Sequence, residues 1–287
     1  MKHFLVIVNS LKDTNLELTK KIISYIEQKG GTGIYFASNG ETMEHAAPDV
    51  EDIADGTECV MVLGGDGTLI RAATRLVKSD LPIIGVNLGT LGYLCELEEA
   101  TVFPAIDLLM KDEFMLEKRM MLTGYGVKNQ NKSAKNIAFN DVVIHRTGAL
   151  SVVNLIVYVN GEYLNTFHAD GIILSTPTGS TGYNLSAGGP IVDPKAQMIL
   201  MTPINDHNLN SQSIVLEASD EVVIEIGQRR SQKDETVEVS FDGNNALKLE
   251  VGDKITVKKA KDAIKICKLS KQSFLVTLRK KMQIYSS

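Results

Sequence analysis

The sequence predicts two domains: a Rossmann-like α/β domain with a parallel sheet, then a β-rich, sandwich-like domain. Three observations carry that expectation. Apolar runs alternate with helically spaced segments through the first third of the 287-residue chain. From about Lys118 the segments become short, closely spaced and rich in Val and Ile, with turn residues between them. No low-complexity linker and no internal repeat interrupts the order. Strands that alternate with helices and are apolar throughout form parallel sheets covered on both faces. Short strands parted by turn signals form sandwiches or barrels. The expected boundaries are 1–117 for the first domain and 118–267 for the second.

"FLVIV" is the first strand. Leu18, Ile22, Ile23 and Ile26 then recur at helical spacing within residues 14–29. "TGIYFA", "CVMVL" and "LPIIGVN" are the next strands. Between the last two, Leu69, Ala73, Leu76 and Val77 share one helix face. A further helix is expected from about Val102 to Met110. In the second domain eight segments, from "LTGYGVKN" to "KITVKKA", read as strands, and "VNGEY" reads as a hairpin turn. Only "PKAQMILM" reads as helix there. The tail "CKLSKQSFLVTLRKK" fits against either domain.

Apolar residues make up 44% of the chain and charged residues 23%, as in an ordinary soluble domain. The net charge of -5 argues against a general nucleic-acid binder, which carries a basic excess. No segment approaches the roughly 18 apolar residues of a membrane span. The apolar stretch Phe4–Val8 reads as a buried strand rather than a signal-peptide core, and a cytoplasmic protein is the expectation. Cys59, Cys95 and Cys267 have no C-x-x-C spacing, so neither a disulfide framework nor a zinc site is indicated. Met120 and Met121 read as core fillers.

Residues Gly64-Gly65-Asp66-Gly67-Thr68 lie between a strand and a helix. No Lys follows, so this is not the G-x-x-x-x-G-K-[ST] loop, and Ile70 breaks G-x-G-x-x-G. The glycines still permit positive φ and close approach of a ligand. The helix start behind them attracts phosphate oxygens. Asp66 then has two chemical uses: it works with Mg²⁺ at the phosphates, or it takes the proton of a hydroxyl that attacks phosphorus. The plain alternative is a helix-capping aspartate.

A second loop follows the strand "GIILS". Thr176, Thr178, Ser180, Thr181 and Ser186 supply hydroxyls, four glycines keep the surface open, and Tyr183 offers a ring or a phenol. No charged residue stands between Asp170 and Asp193. That lining suits a sugar, a base and phosphates, although ordered loops use the same residues.

"GGDGT" followed by "DGIILSTPTGSTGYNLSAGGPIV" resembles the NAD kinases, which phosphorylate the 2′-hydroxyl of the adenosine ribose of NAD. "NLGTLGYL", "FND" and "FDG" fall where that family has its other short motifs. The resemblance spans most of the chain. It implies Mg²⁺ or another divalent metal with ATP, NAD as substrate, no nucleic-acid or membrane partner, and a homodimer or homotetramer. It also implies that the tail 268–287 returns to the first domain. Diacylglycerol and sphingosine kinases resemble the family in "GGDG", so a lipid or sphingoid-base kinase is one alternative. A non-catalytic dinucleotide sensor is another.

By resemblance, Asp66 activates or orients the ribose hydroxyl, and Gly64, Gly65, Gly67 and Thr68 form the loop at the phosphates. Tyr93, Asn140, Asp170, Thr178, Thr181, Tyr183 and Ser186 match positions that line the dinucleotide. Asp141 stands where a Glu is usual, and Gly182 where an Ala is common. An Asn side chain also presents the donor and acceptor that an adenine edge requires, though Asn140 and Asp141 equally suit an Asx turn. His168 contacts phosphate when protonated or is a surface histidine. Arg71 can reach donor phosphates; like Arg75, it also fits a solvated helix face. Asp242 reads as a turn residue or as part of the site wall, the turn being favoured. No direct protein ligand to metal is expected.

Overall fold

The computed structural model describes residues 1–39, 45–90, 92–147, 152–208, 212–228, 236–269 and 273–284. The chain divides into two compact units, Met1–Arg119 with Ala263–Ser287, and Met120–Asp262.

The first unit is built on β1 (His3–Asn9), α1 (Glu17–Gln28), β2 (Thr32–Ser38), β3 (Cys59–Gly64), α2 (Asp66–Leu76), β4 (Pro82–Asn87), β5 (Leu97–Glu98) and α3 (Val102–Met110). β1 pairs in parallel with β2 and β3, β3 with β4, and β4 with β5. Val6, Val8, Met61, Leu63, Ile84 and Val86 share one core with Ile22 and Ile26 of α1 and Ile106 and Leu109 of α3. Tyr25 and Phe103 meet edge to face at 5.2 Å, which joins those two helices.

α2 lies on the other face. Gly85 stands between Ile84 and Val86, so its side faces away from that core. A Cβ there would sit 2.5 Å from Leu69 Cδ1. A glycine is therefore what lets α2 approach β4. Leu69, Ala73, Leu76 and Val77, the expected helix face, are all buried.

The second unit contains β6 (Met115–Lys128), β7 (Asn131–Lys132), β8 (Asn136–Ala138), β9 (Asp141–Arg146), β10 (Val153–Val159), β11 (Glu162–Ala169), β12 (Gly171–Ser175), α4 (Tyr183–Ser186), β13 (Met198–Ile204), β14 (Ile214–Glu217), β15 (Glu221–Gly227), β16 (Thr236–Phe241), β17 (Asn244–Glu250) and β18 (Lys254–Lys268). The chain leaves the first unit within β6 and re-enters it within β18. One sheet of the second unit contains β11, β10, β15 and the start of β18 in antiparallel order. The other runs β14-β13-β12-β9-β16-β17, antiparallel throughout. Their facing residues form one core, with Leu155, Val157 and Ile224 from the first and Ile144, Ile172 and Leu174 from the second. The hairpin turn expected at "VNGEY" is Asn160-Gly161, with φ of 52° and 83°, the left-handed pair that a tight β-hairpin requires.

The end of β18 pairs in parallel with β4 at Lys265 and Ile266, and α5 (Phe274–Ile284) follows it in the first unit. One expectation fails. The helix read at "PKAQMILM" is strand: Met198–Ile204 is β13 and pairs with β12 and β14. The unbroken apolar run from Met198 to Met201 is the mark of a buried strand, and a short run of that kind has no helical period to contradict it.

Candidate active site

β3 ends at Gly64, Gly65 is the N-cap, and α2 begins at Asp66. Gly64, Gly65 and Gly67 all lie outside the positive-φ region. Their use is close approach, the second of the two reasons offered from sequence. A Cβ on Gly64 would stand 2.6 Å from Thr68 Oγ1. Thr68 itself is spent inward: its hydroxyl accepts from Asn9 Nδ2 at 3.4 Å and its amide bonds to Gly65 O at 3.0 Å. These bonds give Thr68 a packing role within the loop. The amides of Asp66 and Gly67, in the first turn, have no carbonyl within the helix to reach.

Asp66 does not cap its helix, which has no side-chain cap bond. Its Oδ2 accepts from Tyr93 N at 2.7 Å and its Oδ1 from Leu94 N at 3.2 Å. The Cys95 thiol also donates to it. Burial, with the Asp66 charge beside it, pushes that thiol up to about 12, so it stays a donor. A Cβ on Gly92 would fall on the Asp66 carboxylate, which is why that loop needs glycine. The Tyr93 ring lies under the Lys281 ammonium of α5 at 5.2 Å. This is one contact of the tail with the segment after β4; another is the Lys268–Glu96 ion pair.

The arginines of α2 part company. Arg75 bonds Ala47 O at 2.8 Å and pairs with Asp49 at 2.5 Å, so it holds a neighbouring loop. Arg71 Nη1 lies 3.5 Å from where a Cβ on Gly67 would stand, beside the loop. Burial lowers its pKa, and among the described residues no ion pair offsets that. Lys12, which sequence reading passed over, reaches the same loop: its Nζ lies 3.1 Å from the Cβ position of Gly65.

In the second unit Asn140, Asp141, Thr178, Thr181 and Gly182 come together. Asp141 opens β9 opposite Ser175, the last residue of β12. The Cβ position of Gly182 is 3.5 Å from Asn140 Nδ2 and 3.9 Å from Asp141 Oδ2. Gly182 has φ -94° and ψ -132°. Thr181 Oγ1 donates to Thr178 O at 3.5 Å. Tyr183, at 47% exposure, and Ser186 stand in solvent on α4. Thr176 and Ser180, by contrast, are fully buried. The Thr176 hydroxyl donates to Phe139 O at 2.7 Å, and that of Ser180 bridges to Val192. Asn140 Oδ1 is buried without a partner, an arrangement that calls for a donor.

Asp242 is more than a turn residue. At φ 51° it turns its carboxylate onto three successive amides, Phe139 N at 2.7 Å, Asn140 N at 2.7 Å and Asp141 N at 3.2 Å. Burial, and then the Asp242 charge, push the Asp141 carboxyl up to about 7. The signal for this role is faint in sequence, since Asp242 lies 101 positions from Asp141.

Asp170 and His168 lie elsewhere. Asp170 precedes β12, whose Gly171 and Ser175 are four residues apart, roughly 14 Å of antiparallel strand. Its carboxylate takes Arg146 Nε at 2.6 Å and Asn205 Nδ2 at 2.9 Å. The Asn205 and Arg146 bonds hold it below the usual carboxylate range. His168 is exposed on β11 and its Nδ1 bonds Asn154 Oδ1 at 2.6 Å. Neither is gathered with Asn140.

A parallel-sheet unit with a carboxylate and two cations, unpaired among the described residues, around a glycine loop suits a phosphotransferase. The hydroxyl-lined cluster of the β unit suits a nucleotide. Comparison with known proteins narrows the class. The family models described as ATP-NAD kinase N-terminal and C-terminal domain match residues 4–114 and 139–269. A protein of Agathobacter rectalis named NAD kinase is 57% identical over 286 residues, covering all of both chains. One from Lachnoclostridium phytofermentans with the same name is 42% identical, over 98% of this chain and 99% of that one. The crystal structure of yeast NADH kinase complexed with NADH superposes with a TM-score of 0.87 at 25% identity, covering 100% of this chain and 89% of that one. The chain belongs to the ATP-NAD kinase family. Its activity is the family's, transfer of phosphate to a hydroxyl of NAD.

Proposed function

We propose that Asp66 is the general base of this reaction and that the loops divide the substrates. The 2′-oxygen of the adenosine ribose attacks the γ-phosphorus of ATP. The bond from that phosphorus to the bridging oxygen breaks, ADP leaves, and the hydroxyl proton passes to Asp66. The observation that carries this is the hold on Asp66. Tyr93 N, Leu94 N and the Cys95 thiol fix its carboxylate. Two carboxylate oxygens offer about four acceptor positions, so one remains for a ribose hydroxyl. Catalysis of phosphoryl transfer is largely positioning and charge stabilisation. The Asp66 and Gly67 amides and the Arg71 guanidinium serve the donor phosphates. Asn140, Asp141, Thr178, Thr181, Gly182 and Tyr183 serve the nucleoside.

Among the described residues no group of three or more His, Cys, Asp or Glu would hold a metal ion. A divalent metal, when bound with ATP, would be carried by the donor's own phosphate oxygens and would supply charge neutralisation there. The homodimer or homotetramer expected from the resemblance completes the proposal. No described helix is long and apolar enough to cross a membrane.

The test is to incubate the purified protein with Mg-ATP and NAD⁺ and to read NADP⁺ with an NADP-specific dehydrogenase. Diacylglycerol and a sphingoid base, with radiolabelled ATP, serve as competing acceptors. Phosphate transferred to lipid and not to NAD⁺ overturns the reading.

A further inference from the structure

We propose that Lys12 is a positioning residue for the donor phosphates, taking the part that a lysine inside the loop plays in G-x-x-x-x-G-K-[ST] proteins. The inference rests on the reading of the glycine loop as the donor's seat.

Three observations support it. First, the Lys12 ammonium stands over two glycines from separate segments: its Nζ is 3.1 Å from the Cβ position of Gly65 and 3.4 Å from that of Gly89. The ammonium therefore sits close over both glycine backbones, tightly at Gly65 and at about van der Waals distance at Gly89. Second, Lys12 has no ion-pair partner among the described residues, although Asp13 is its neighbour in sequence. Asp13 is committed to the start of α1, where it accepts from Leu18 N, Thr19 N and the Thr19 hydroxyl. The ammonium is close enough to the catalytic carboxylate's neighbour to favour the Cys95 thiolate, against burial and Asp66. Third, the loop holds a buried acceptor with nothing to accept. Asn87 is 7% exposed, its Nδ2 donates to Gly89 O at 2.8 Å, and its Oδ1 has no partner.

An ammonium is a compact charge on a flexible stem, able to follow a phosphate between ground and transition states. Arg71 beside Gly67 and Lys12 beside Gly65 then flank the loop with positive charge. This resolves the difficulty of a carboxylate at an anion seat: two cations offset Asp66.

The experiment compares Lys12→Met, Lys12→Arg and Arg71→Met with the wild type, varying Mg-ATP and NAD⁺ separately. A charged hydrogen bond to phosphate corresponds to roughly 10- to 100-fold in kcat/KM. Lys12→Met should lose about that much for ATP while KM for NAD⁺ stays within twofold. Lys12→Arg should recover most of the loss. A merely structural role would move both substrates together. If Arg71→Met impairs ATP use and Lys12→Met does not, the loop keeps its assignment and the Lys12 proposal falls. If neither variant affects ATP, the reading of the loop as the donor's seat falls, and the Lys12 proposal with it.

Discussion

Asp66 carries bonds from two backbone amides and a thiol, and Asp66→Asn separates its two uses. An amide turns an NH₂ toward one of those donors, so stability should drop by about 1–3 kcal/mol. Turnover should fall by roughly 10² to 10⁴, the usual range for loss of a general base. Single-turnover rates and a melting curve on the same variant measure both; a melting loss with near-normal turnover would leave Asp66 as a loop anchor only. Gly182 allows a Cβ, since its φ is negative, but the methyl would lie 3.2 Å from Gly179 O. Gly182→Ala should keep the fold and NAD⁺ binding, with small changes in both. A folded variant that cannot bind NAD⁺ in a titration would show that the fit here depends on glycine. Asp141 sets a pH dependence. Its folded pKa of about 7 lies above the unfolded value of about 3.9, so the folded state binds the proton more tightly. Its contribution to stability is present below about pH 4 and is lost as pH rises to about 7. Asp141→Asn, which is neutral throughout, should flatten the melting profile between about pH 4 and pH 7. An unchanged slope would mean that Asp141 ionises normally.

At the scale of elements, the break between β8 and β9 places Asn140. Asp242, at the turn between β16 and β17, holds three consecutive amides there. Asp242→Ala would leave those amides unpaired in a part-buried position. The expected cost is about 2–4 kcal/mol, seen as a drop of several degrees in melting temperature, together with a higher KM for NAD⁺. Asp242→Asn should recover part of each. A variant with normal stability and normal KM would return Asp242 to a plain turn residue. The tail helix α5 acts in the same way on the first unit, through Lys281 over Tyr93.

For the whole molecule, ligand linkage provides the check. NAD⁺ at ~100 times its Kd should stabilise the protein by about 2.7 kcal/mol, a shift of several degrees in a thermal scan. Asp66→Asn should retain that shift, because the proposal assigns nucleoside binding to the other unit. A variant that loses the shift with the rate would place Asp66 in binding rather than in proton transfer.

The sequence by itself determined the two-part architecture, the helix face of α2, the hairpin at Asn160-Gly161, and the family. Each depends on patterns within short windows: alternation of strand and helix, apolar period, turn chemistry, and motifs read in order. It misread Met198–Ile204 because a short apolar run has no period that separates buried strand from helix. Only the tertiary structure decided what each polar side chain does. It turned the Thr68, Thr176 and Ser180 hydroxyls inward and set Asp66 on the 92–95 loop rather than on its own helix. It separated Asp170 from Asn140 by the length of β12, and brought Lys12 over Gly65 and Asp242 under Asn140. The physical reason is that hydrogen bonds and charges act over a few ångströms of space, while the partners here stand from three to more than a hundred positions apart in the chain.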